Sequence, residues 1–146
     1  MGIVRLRAAT PLPGLDALRA DARAEGYRHL DRLAASLAED PGYVERPGHA
    51  FFGAMAHGAL VGPGGLTPDP SGGPGDGRVR RLYVAPDARG VGHGAALLDA
   101  IEAEARTLGL TRLRVRLGNP AAAGFFARFG FEPVDEPEAT HAKALR

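Results

Sequence analysis

The sequence predicts a single α+β domain, and three observations support this fold class. The chain has 146 residues, which is enough for one hydrophobic core but too few for two independent ones. Segments in which apolar and polar residues alternate, as in half-buried strands, are spread along the chain. Between them lie segments with apolar residues at helical spacing, and the longest of these directly follows a strand and a glycine-rich turn.

Charge and composition exclude several classes of function. The 18 basic and 17 acidic residues nearly cancel, so no excess charge indicates nucleic acid or a membrane surface as a partner. The chain has no cysteine, which excludes disulfides, thiolate metal sites and a cysteine nucleophile. No apolar run approaches the roughly 20 residues of a membrane span, and the first residues lack the apolar core of a signal peptide. We therefore expect a soluble, cytoplasmic protein.

The first elements are a strand and two helices. Residues 3–8 alternate as a strand does, and Thr10 with the prolines after it can cap a first helix. A second helix is expected over residues 27–37, where apolar residues recur at helical spacing until Pro41 ends the pattern. Gly26 marks the break between the two helices.

A hairpin and a loop are expected next. Residues 50–56 and 59–66 predict two strands joined at His57-Gly58, where the glycine allows a tight turn. Residues 67–77 are dominated by proline and glycine, which disfavour regular structure, so we predict a mobile surface loop. A plain connector is the favoured interpretation of this loop, and a lid over a substrate is the alternative.

The second half of the chain predicts alternating strands and helices. A strand over 79–84 leads to a helix over 94–108 with Gly109 as its C-terminal cap. Residues 111–117 then alternate strictly and predict a strand whose arginine-bearing side faces water or a ligand. The arginines concerned are Arg112, Arg114 and Arg116.

The remaining segments predict a short helix and a hairpin. Asn119 is a good helix N-cap, with Pro120 at the first helical position and Gly130 at the end of the helix. Residues 131–134 and 139–145 can form a final pair of strands.

The turn over residues 86–95 is the strongest functional signal. Consecutive backbone N–H groups at a helix N-terminus, which glycines leave unobstructed, form a site for an anion, and the helix dipole reinforces it. A diphosphate fits such a site. Arg89 enters just ahead of the glycines, where its guanidinium can bond phosphate oxygens in a forked geometry.

The kind of diphosphate has to be decided by other features. Residues 90–95 also satisfy the loose G-x-G-x-x-G/A pattern of dinucleotide-binding folds, but the following strand ends in Leu117-Gly118-Asn119 without the acidic residue that would hold a ribose. A P-loop is excluded because Gly-Lys-Ser/Thr is missing. Redox chemistry with NAD therefore stays a weaker alternative.

Three segments resemble the GCN5-related N-acetyltransferase family. Its motif of Arg or Gln, two residues, Gly, one residue and Gly or Ala is matched by Arg89, Gly92 and Gly94. Residues 81–86 resemble the strand that precedes this motif, and residues 119–131 resemble a later motif of the family. Together these segments cover more than a third of the chain in the expected order.

The resemblance implies a fold, a cofactor and a set of site residues. The fold would be a mixed, mostly antiparallel sheet flanked by helices that splays between its fourth and fifth strands. Acetyl-CoA would be the acyl donor, with its pantetheine arm paired to the backbone of Leu82, Tyr83 and Val84. The diphosphate would be held by Arg89, Gly90, Val91, Gly92, His93, Gly94 and Ala95. Asn119 would face the cofactor, and Phe126 would pack near the thioester.

The resemblance also implies direct transfer of the acetyl group to a primary amine of a small molecule or peptide. A backbone N–H near Val84 would polarise the thioester, and Tyr83 and Asn119 are the candidate catalytic residues. Phe126 occupies the position where many relatives have a tyrosine as general acid, and Arg78 stands near the usual glutamate base. A non-catalytic acyl-CoA sensor is therefore the alternative, and a homodimer is one option for the assembly.

The acceptor and the proton relay are left open by the sequence. His57, His29, Glu45 and Asp31 are candidates to pass a proton through water. The acceptor pocket can include Tyr27 and Leu30, although ordinary core packing is the favoured interpretation of both. The arginines of segment 111–117 either favour an acidic acceptor or pair with surface carboxylates, and we favour the pairing.

Overall fold

The protein forms one seven-stranded mixed sheet with helices packed on it. The structure, a computed structural model, describes residues 2–8 and 12–146. Within these residues the strands are β1 (Gly2–Arg5), β2 (Ala50–Ala56), β3 (Ala59–Pro68), β4 (Asp76–Arg80), β5 (Arg112–Val115), β6 (Glu132–Glu136) and β7 (Ala139–Ala144). The helices are α1 (Leu15–Ala24), α2 (His29–Glu39), α3 (His93–Thr107) and α4 (Ala123–Arg128).

The strand order is β1-β2-β3-β4-β5-β7-β6, and every neighbouring pair is antiparallel except β4 and β5. This confirms the expected mixed, mostly antiparallel sheet. The helix start that we expected at Thr10 lies outside the described residues, and α1 begins at Leu15 after Gly14 at its N-cap. The hairpin at His57-Gly58 is confirmed, with Ala56 paired to Ala59 on its two sides.

The two faces of the sheet carry separate clusters of buried residues. On one face α3 packs Leu98 and Ile101 against β3, β4 and β5. On the other face α1 and α2 pack Leu18 and Leu30 against β3. Leu82 contacts the first cluster and Tyr83 belongs to the second, as expected for neighbouring residues of an extended segment.

The expectation of an irregular loop over residues 67–77 is wrong at both ends. β3 continues to Pro68 and β4 begins at Asp76, because Thr67 pairs with Arg78 and Pro68 with Gly77. The connector itself is anchored, since the side chain of Asp69 is 0% exposed. This segment therefore contributes to the interior of the sheet as well as connecting two strands.

The strand expected over 79–84 ends early, at Arg80. Arg81 has a φ of 58°, which interrupts the regular strand. The chain nevertheless continues beside β3, where the N–H of Tyr83 donates to the carbonyl of Pro63 at 3.0 Å. Gly62 makes this close approach possible, because a Cβ there would lie 2.4 Å from the carbonyl oxygen of Tyr83.

The expectation that the arginine-bearing side of segment 111–117 faces water or a ligand is wrong for Arg114. Arg114 is only 1% exposed and pairs with Asp69 and Glu136. Arg112 forms paired hydrogen bonds with both Asp76 and Glu136. Arg116 pairs with Glu138, and both of these side chains are exposed. The interpretation that these arginines pair with carboxylates is therefore confirmed for all three, and the expected surface location is wrong for Arg114.

Candidate active site

The sheet opens between its two parallel strands, and this opening forms the cleft of the candidate site. β4 and β5 pair only from Asp76 to Arg78, and Arg78 is matched with Arg114 in the last pair. Beyond this point β5 continues beside β7, whereas residues 82–85 stay with β3. One edge of segment 82–85 is therefore left without a neighbouring strand.

The open edge presents backbone groups to the cleft. The N–H groups of Tyr83 and Ala85 point to β3, so the polar groups of Leu82 and Val84 point away from it. Neither Leu82 nor Val84 uses its N–H in a backbone hydrogen bond within the described residues. Both carbonyls are occupied, because His29 Nε2 lies 3.1 Å from the Leu82 oxygen and Arg89 Nε donates to the Val84 oxygen at 3.0 Å. The unpaired N–H of Val84 matches the donor that we expected to polarise a thioester.

The glycine turn lies beside this edge at the N-terminus of α3. Gly90 and Gly92 have φ angles of 83° and 93°, which only glycine adopts without strain. In the described part of the chain, no N–H of residues 90–95 is used in a backbone hydrogen bond. A Cβ added at Gly90 or Gly92 would meet nothing within 4 Å, so the turn is open beside these two glycines. The turn thus has the geometry of an anion site.

Arg89 binds a carboxylate of α1 in this structure. Its Nη1 and Nη2 donate to the two oxygens of Glu25 at 2.9 and 2.6 Å, and its guanidinium lies 5.4 Å from the centre of the Tyr83 ring. The Tyr83 hydroxyl also donates to Glu25. Burial and then Glu25 raise the pKa of Tyr83 far above its usual value, while Arg89 and then Tyr83 lower the pKa of Glu25.

The other predicted residues lie in the turn and helix that follow β5. Asn119 caps the turn Pro120–Ala122 by accepting a hydrogen bond from the N–H of Ala121 at 2.9 Å. Phe126 is buried and packs edge-on against Phe131, with 5.1 Å between the ring centres. The ring of Phe125 lies at the glycine turn, because a Cβ at Gly94 would come within 3.0 Å of it.

Of the four relay candidates, only His29 lies at the open edge. His57 is exposed in the hairpin turn, and Glu45 accepts a hydrogen bond from the N–H of Ala8. Asp31 is paired with Arg19 and Arg23, whose hydrogen bonds lower its pKa to about 2. Burial lowers the pKa of His29, and the nearby charges of Arg81 and Arg32 lower it further.

Two features of the site were not found by the sequence analysis. Glu25 was missed because it lies 58 residues from Tyr83 and 64 from Arg89, and no motif connects them. Phe125 was treated as part of a motif without a role of its own, although it is the ring that covers the turn. Arg78, which stands near the usual base, is buried and bonds Asp69 and the carbonyl of Glu138.

A mixed sheet that opens beside a glycine turn at a helix N-terminus defines an acyltransferase that uses coenzyme A thioesters. The model of the acetyltransferase (GNAT) family matches residues 15–131, and the chain therefore belongs to that family. It is an acetyl-CoA-dependent N-acetyltransferase, with acetyl-CoA as the acyl donor and a small-molecule or peptide acceptor.

Relatives and solved structures agree with this assignment. The chain is 41% identical over 105 residues to an IAA acetyltransferase of Azospirillum brasilense, with 67% of each chain covered. A crystal structure from Exiguobacterium sp. 255-15, of a protein described as an acetyltransferase, has a TM-score of 0.85 and 30% identity and covers 98% of this chain and 92% of its own. The PaiA N-acetyltransferase of Thermoplasma acidophilum, solved with coenzyme A, has a TM-score of 0.65 at 19% identity over 99% of both chains and shares the fold.

Two further structural properties concern the described residues alone. None of the helices within residues 2–8 and 12–146 is long and apolar enough to cross a membrane. The same residues contain no group of histidine and carboxylate side chains that could hold a metal ion.

Proposed function

We propose that acetyl-CoA binds with its diphosphate on the N–H groups of residues 90–95 and its pantetheine arm along residues 82–84. The observation that carries this proposal is the run of unpaired amides at the N-terminus of α3 beside the open edge of segment 82–85. Both sets of donors lie at one opening of the sheet, and an extended thioester ligand with an anionic end needs both. Arg89 reaches the diphosphate when it leaves Glu25.

The transfer step follows from these positions. The lone pair of the neutral amine attacks the thioester carbon, the carbon–sulfur bond breaks, and the thiolate leaves with the bonding electrons. The N–H of Val84 stabilises negative charge on the carbonyl oxygen. The thiolate of an alkyl thiol with a pKa of roughly 8.5 is a tolerable leaving group, so a proton from water suffices once the bond has broken.

We propose that His29 takes the amine proton directly or through a water. Its Nε2 lies 3.1 Å from the Leu82 carbonyl and must carry a proton to donate there, which leaves the lone pair on Nδ1. The lowered pKa keeps the ring neutral and able to accept a proton. We further propose that Asn119 orients the cofactor, and that Tyr83, whose hydroxyl donates to Glu25, returns a proton to sulfur if that bond opens.

The cellular setting is proposed on composition. A chain without cysteine and with nearly balanced charge fits a cytoplasmic enzyme acting on dissolved amines, without nucleic acid or a membrane as partner. A homodimer remains part of the proposal as one option for the assembly. Cell fractionation and the mass in solution measured by light scattering test these two points.

The decisive experiment compares two glycines that flank α3, one at each end. Gly92→Glu should abolish acetyl-CoA binding, because it puts a side chain and a negative charge in front of the amides. Gly109→Glu is the matched control, since Gly109 also has a positive φ of 77°, has nothing within 4 Å of an added Cβ, and lies at the other end of the helix. Calorimetry with acetyl-CoA, circular dichroism and release of free thiol with an amine panel are the measurements. If Gly92→Glu is folded and binds acetyl-CoA as the control does, the proposed site is wrong.

A further inference from the structure

Nearly all arginines in the interior of the sheet are neutralised by carboxylates. Arg78, Arg112 and Arg114 share Asp69, Asp76 and Glu136 within ion-pair distance. Arg5 and Arg19, which are also partly buried, pair with Glu104 and Asp31. This balance is expected, because a desolvated guanidinium without an anion is costly.

Arg80 and Arg81 are the exceptions among the described residues. Both are partly buried, and neither has a carboxylate within ion-pair distance. Arg80 donates from Nε to the hydroxyl of Thr67 at 3.1 Å, which satisfies a donor but does not neutralise the charge. The Nε of Arg81 is buried and has no hydrogen-bond partner. Two adjacent positive charges therefore lack an ion-pair partner, and only the more distant charge of Asp69 partly offsets that of Arg80.

These two arginines directly precede the open edge in the chain. The pairing of β4 with β5 ends at Arg78, two residues before Arg80, and the free edge begins at Leu82, immediately after Arg81. The charge of Arg81 acts on His29, which bonds the Leu82 carbonyl, and the charge of Arg80 acts on His49. Along the chain, the two arginines therefore lie between the last β4–β5 pair and the free edge, and Arg81 is near the proposed proton acceptor His29.

The nearby carboxylate cannot supply the missing charge. The side chain of Asp69 is fully buried and already forms ion pairs with Arg78 at 3.3 Å and Arg114 at 3.1 Å. Burial lowers the pKa of Arg80, and repulsion from Arg78 and Arg81 lowers it further. Guanidinium groups nevertheless stay protonated in proteins. A bound anion would offset both the cost of burying these two charges and the repulsion between them.

We propose that Arg80 and Arg81 bind an anionic group of the acceptor, so that the enzyme prefers primary amines that also carry a carboxylate or a phosphate. This inference rests on the proposed function, because it places the acceptor at the cleft where the thioester would lie. A planar carboxylate or a phosphate matches the forked donors of guanidinium groups. The acceptor amine would then be fixed at one end by the ion pairs and presented to the thioester at the other.

The test uses pairs of amines that differ only in the anion. L-Amino acids are compared with their amides, and O-phosphoethanolamine with ethanolamine, by calorimetry on the CoA-bound protein and by turnover with acetyl-CoA. The anionic member of at least one pair should bind about 10- to 100-fold more tightly, as expected for charge-assisted hydrogen bonds in a partly buried site. Which of the two pairs responds distinguishes a carboxylate from a phosphate. If no anionic amine binds more tightly than its neutral twin, the inference is wrong, whatever the turnover.

Variants separate this inference from the proposed cofactor site. Arg80→Gln and Arg81→Gln should remove the preference for the anionic twin and leave acetyl-CoA affinity unchanged, while Arg80→Lys and Arg81→Lys should restore part of it. Arg7→Gln, an exposed arginine after the edge strand β1, is the control and should change neither. If the glutamine variants weaken acetyl-CoA binding instead, the arginines serve the cofactor and the inference fails while the proposed function stands. If wild-type protein does not bind acetyl-CoA, the proposed function itself fails.

Discussion

At the scale of single residues, Arg89 has two competing partners. In the structure it holds Glu25 through both of its terminal nitrogens, whereas the proposed site requires it to bind the diphosphate. The pair is partly exposed, with 45% of the Arg89 side chain and 33% of Glu25 accessible, so its strength is limited to about 0–1 kcal/mol. When Arg89 exchanges the carboxylate of Glu25 for the diphosphate, it therefore loses only the small free energy of this ion pair.

The first prediction concerns the loss of this ion pair between Arg89 and Glu25. Glu25→Gln should tighten acetyl-CoA binding by about two- to fivefold, because Arg89 no longer has to leave a carboxylate. Calorimetry at fixed ionic strength measures the change. Tyr83 keeps a hydrogen-bond acceptor in the glutamine side chain, so its position should change little.

A double-mutant cycle shows whether the effect passes through Arg89. Arg89→Ala should weaken binding, and Glu25→Gln should have no further effect in that background. An equal gain from Glu25→Gln with and without Arg89 would show that the carboxylate acts directly on the ligand by charge repulsion, and the competition described here would then be excluded.

At the scale of elements, local signals were predictable from the sequence and long-range pairing was not. The turn at residues 90–95 and helix α3 follow from neighbouring residues, and so does the hairpin at His57-Gly58. The early end of β4 depends on the left-handed conformation of Arg81, which no residue type near it requires. The burial of Arg114 depends on Asp69, which lies in a segment whose composition indicated only a loop.

Asp69 explains how two parallel strands can separate in a stable way. It bonds Arg78 of β4 and Arg114 of β5, the residues of their last pair, so a carboxylate is buried at the point where the sheet begins to open. The arginine side of β5 is therefore structural. On the N-terminal side of Arg78 and Arg114 the two strands are held together by backbone hydrogen bonds. On the C-terminal side the edge of segment 82–85 is free for a ligand.

The second prediction concerns this contact. Asp69→Asn should lower the free energy of unfolding by about 3–5 kcal/mol, because two buried guanidiniums lose their shared anion while the shape of the side chain is kept. Asp99→Asn on the exposed side of α3 is the control and should change stability by less than about 0.5 kcal/mol. Urea denaturation of both variants is the measurement, and equal midpoints would show that Asp69 does not hold the strands together.

At the scale of the whole molecule, the titratable groups divide into two sets with separate pH windows. Hydrogen bonds from arginines lower the pKa of Glu25, Asp31, Asp40, Asp76 and Glu136. Their contribution to stability is present above the usual carboxylate range near pH 4 and is lost as the pH falls below it. Burial lowers the pKa of His29 and His49, so the unfolded chain binds more protons than the native protein as the pH falls through about 6.5. Loss of stability between pH 7 and 5 therefore belongs to the histidines.

This separation gives a prediction for the fold and the site together. The free energy of unfolding should fall between pH 7.5 and 5.5, and the fall should be smaller in His29→Gln, whose amide can still donate to the Leu82 carbonyl but does not titrate. His49 is unchanged in this variant, so part of the pH dependence of stability should remain.

His57→Asn, at the exposed hairpin turn, is the control and should keep the full pH dependence, since asparagine tolerates the φ of 53° at that position. Urea unfolding at pH 7.5, 6.5 and 5.5 measures the three slopes. Identical slopes in wild type and His29→Gln would mean that His29 can be protonated in the folded protein without cost, and its proposed role as a neutral proton acceptor beside Arg81 would lose its physical basis.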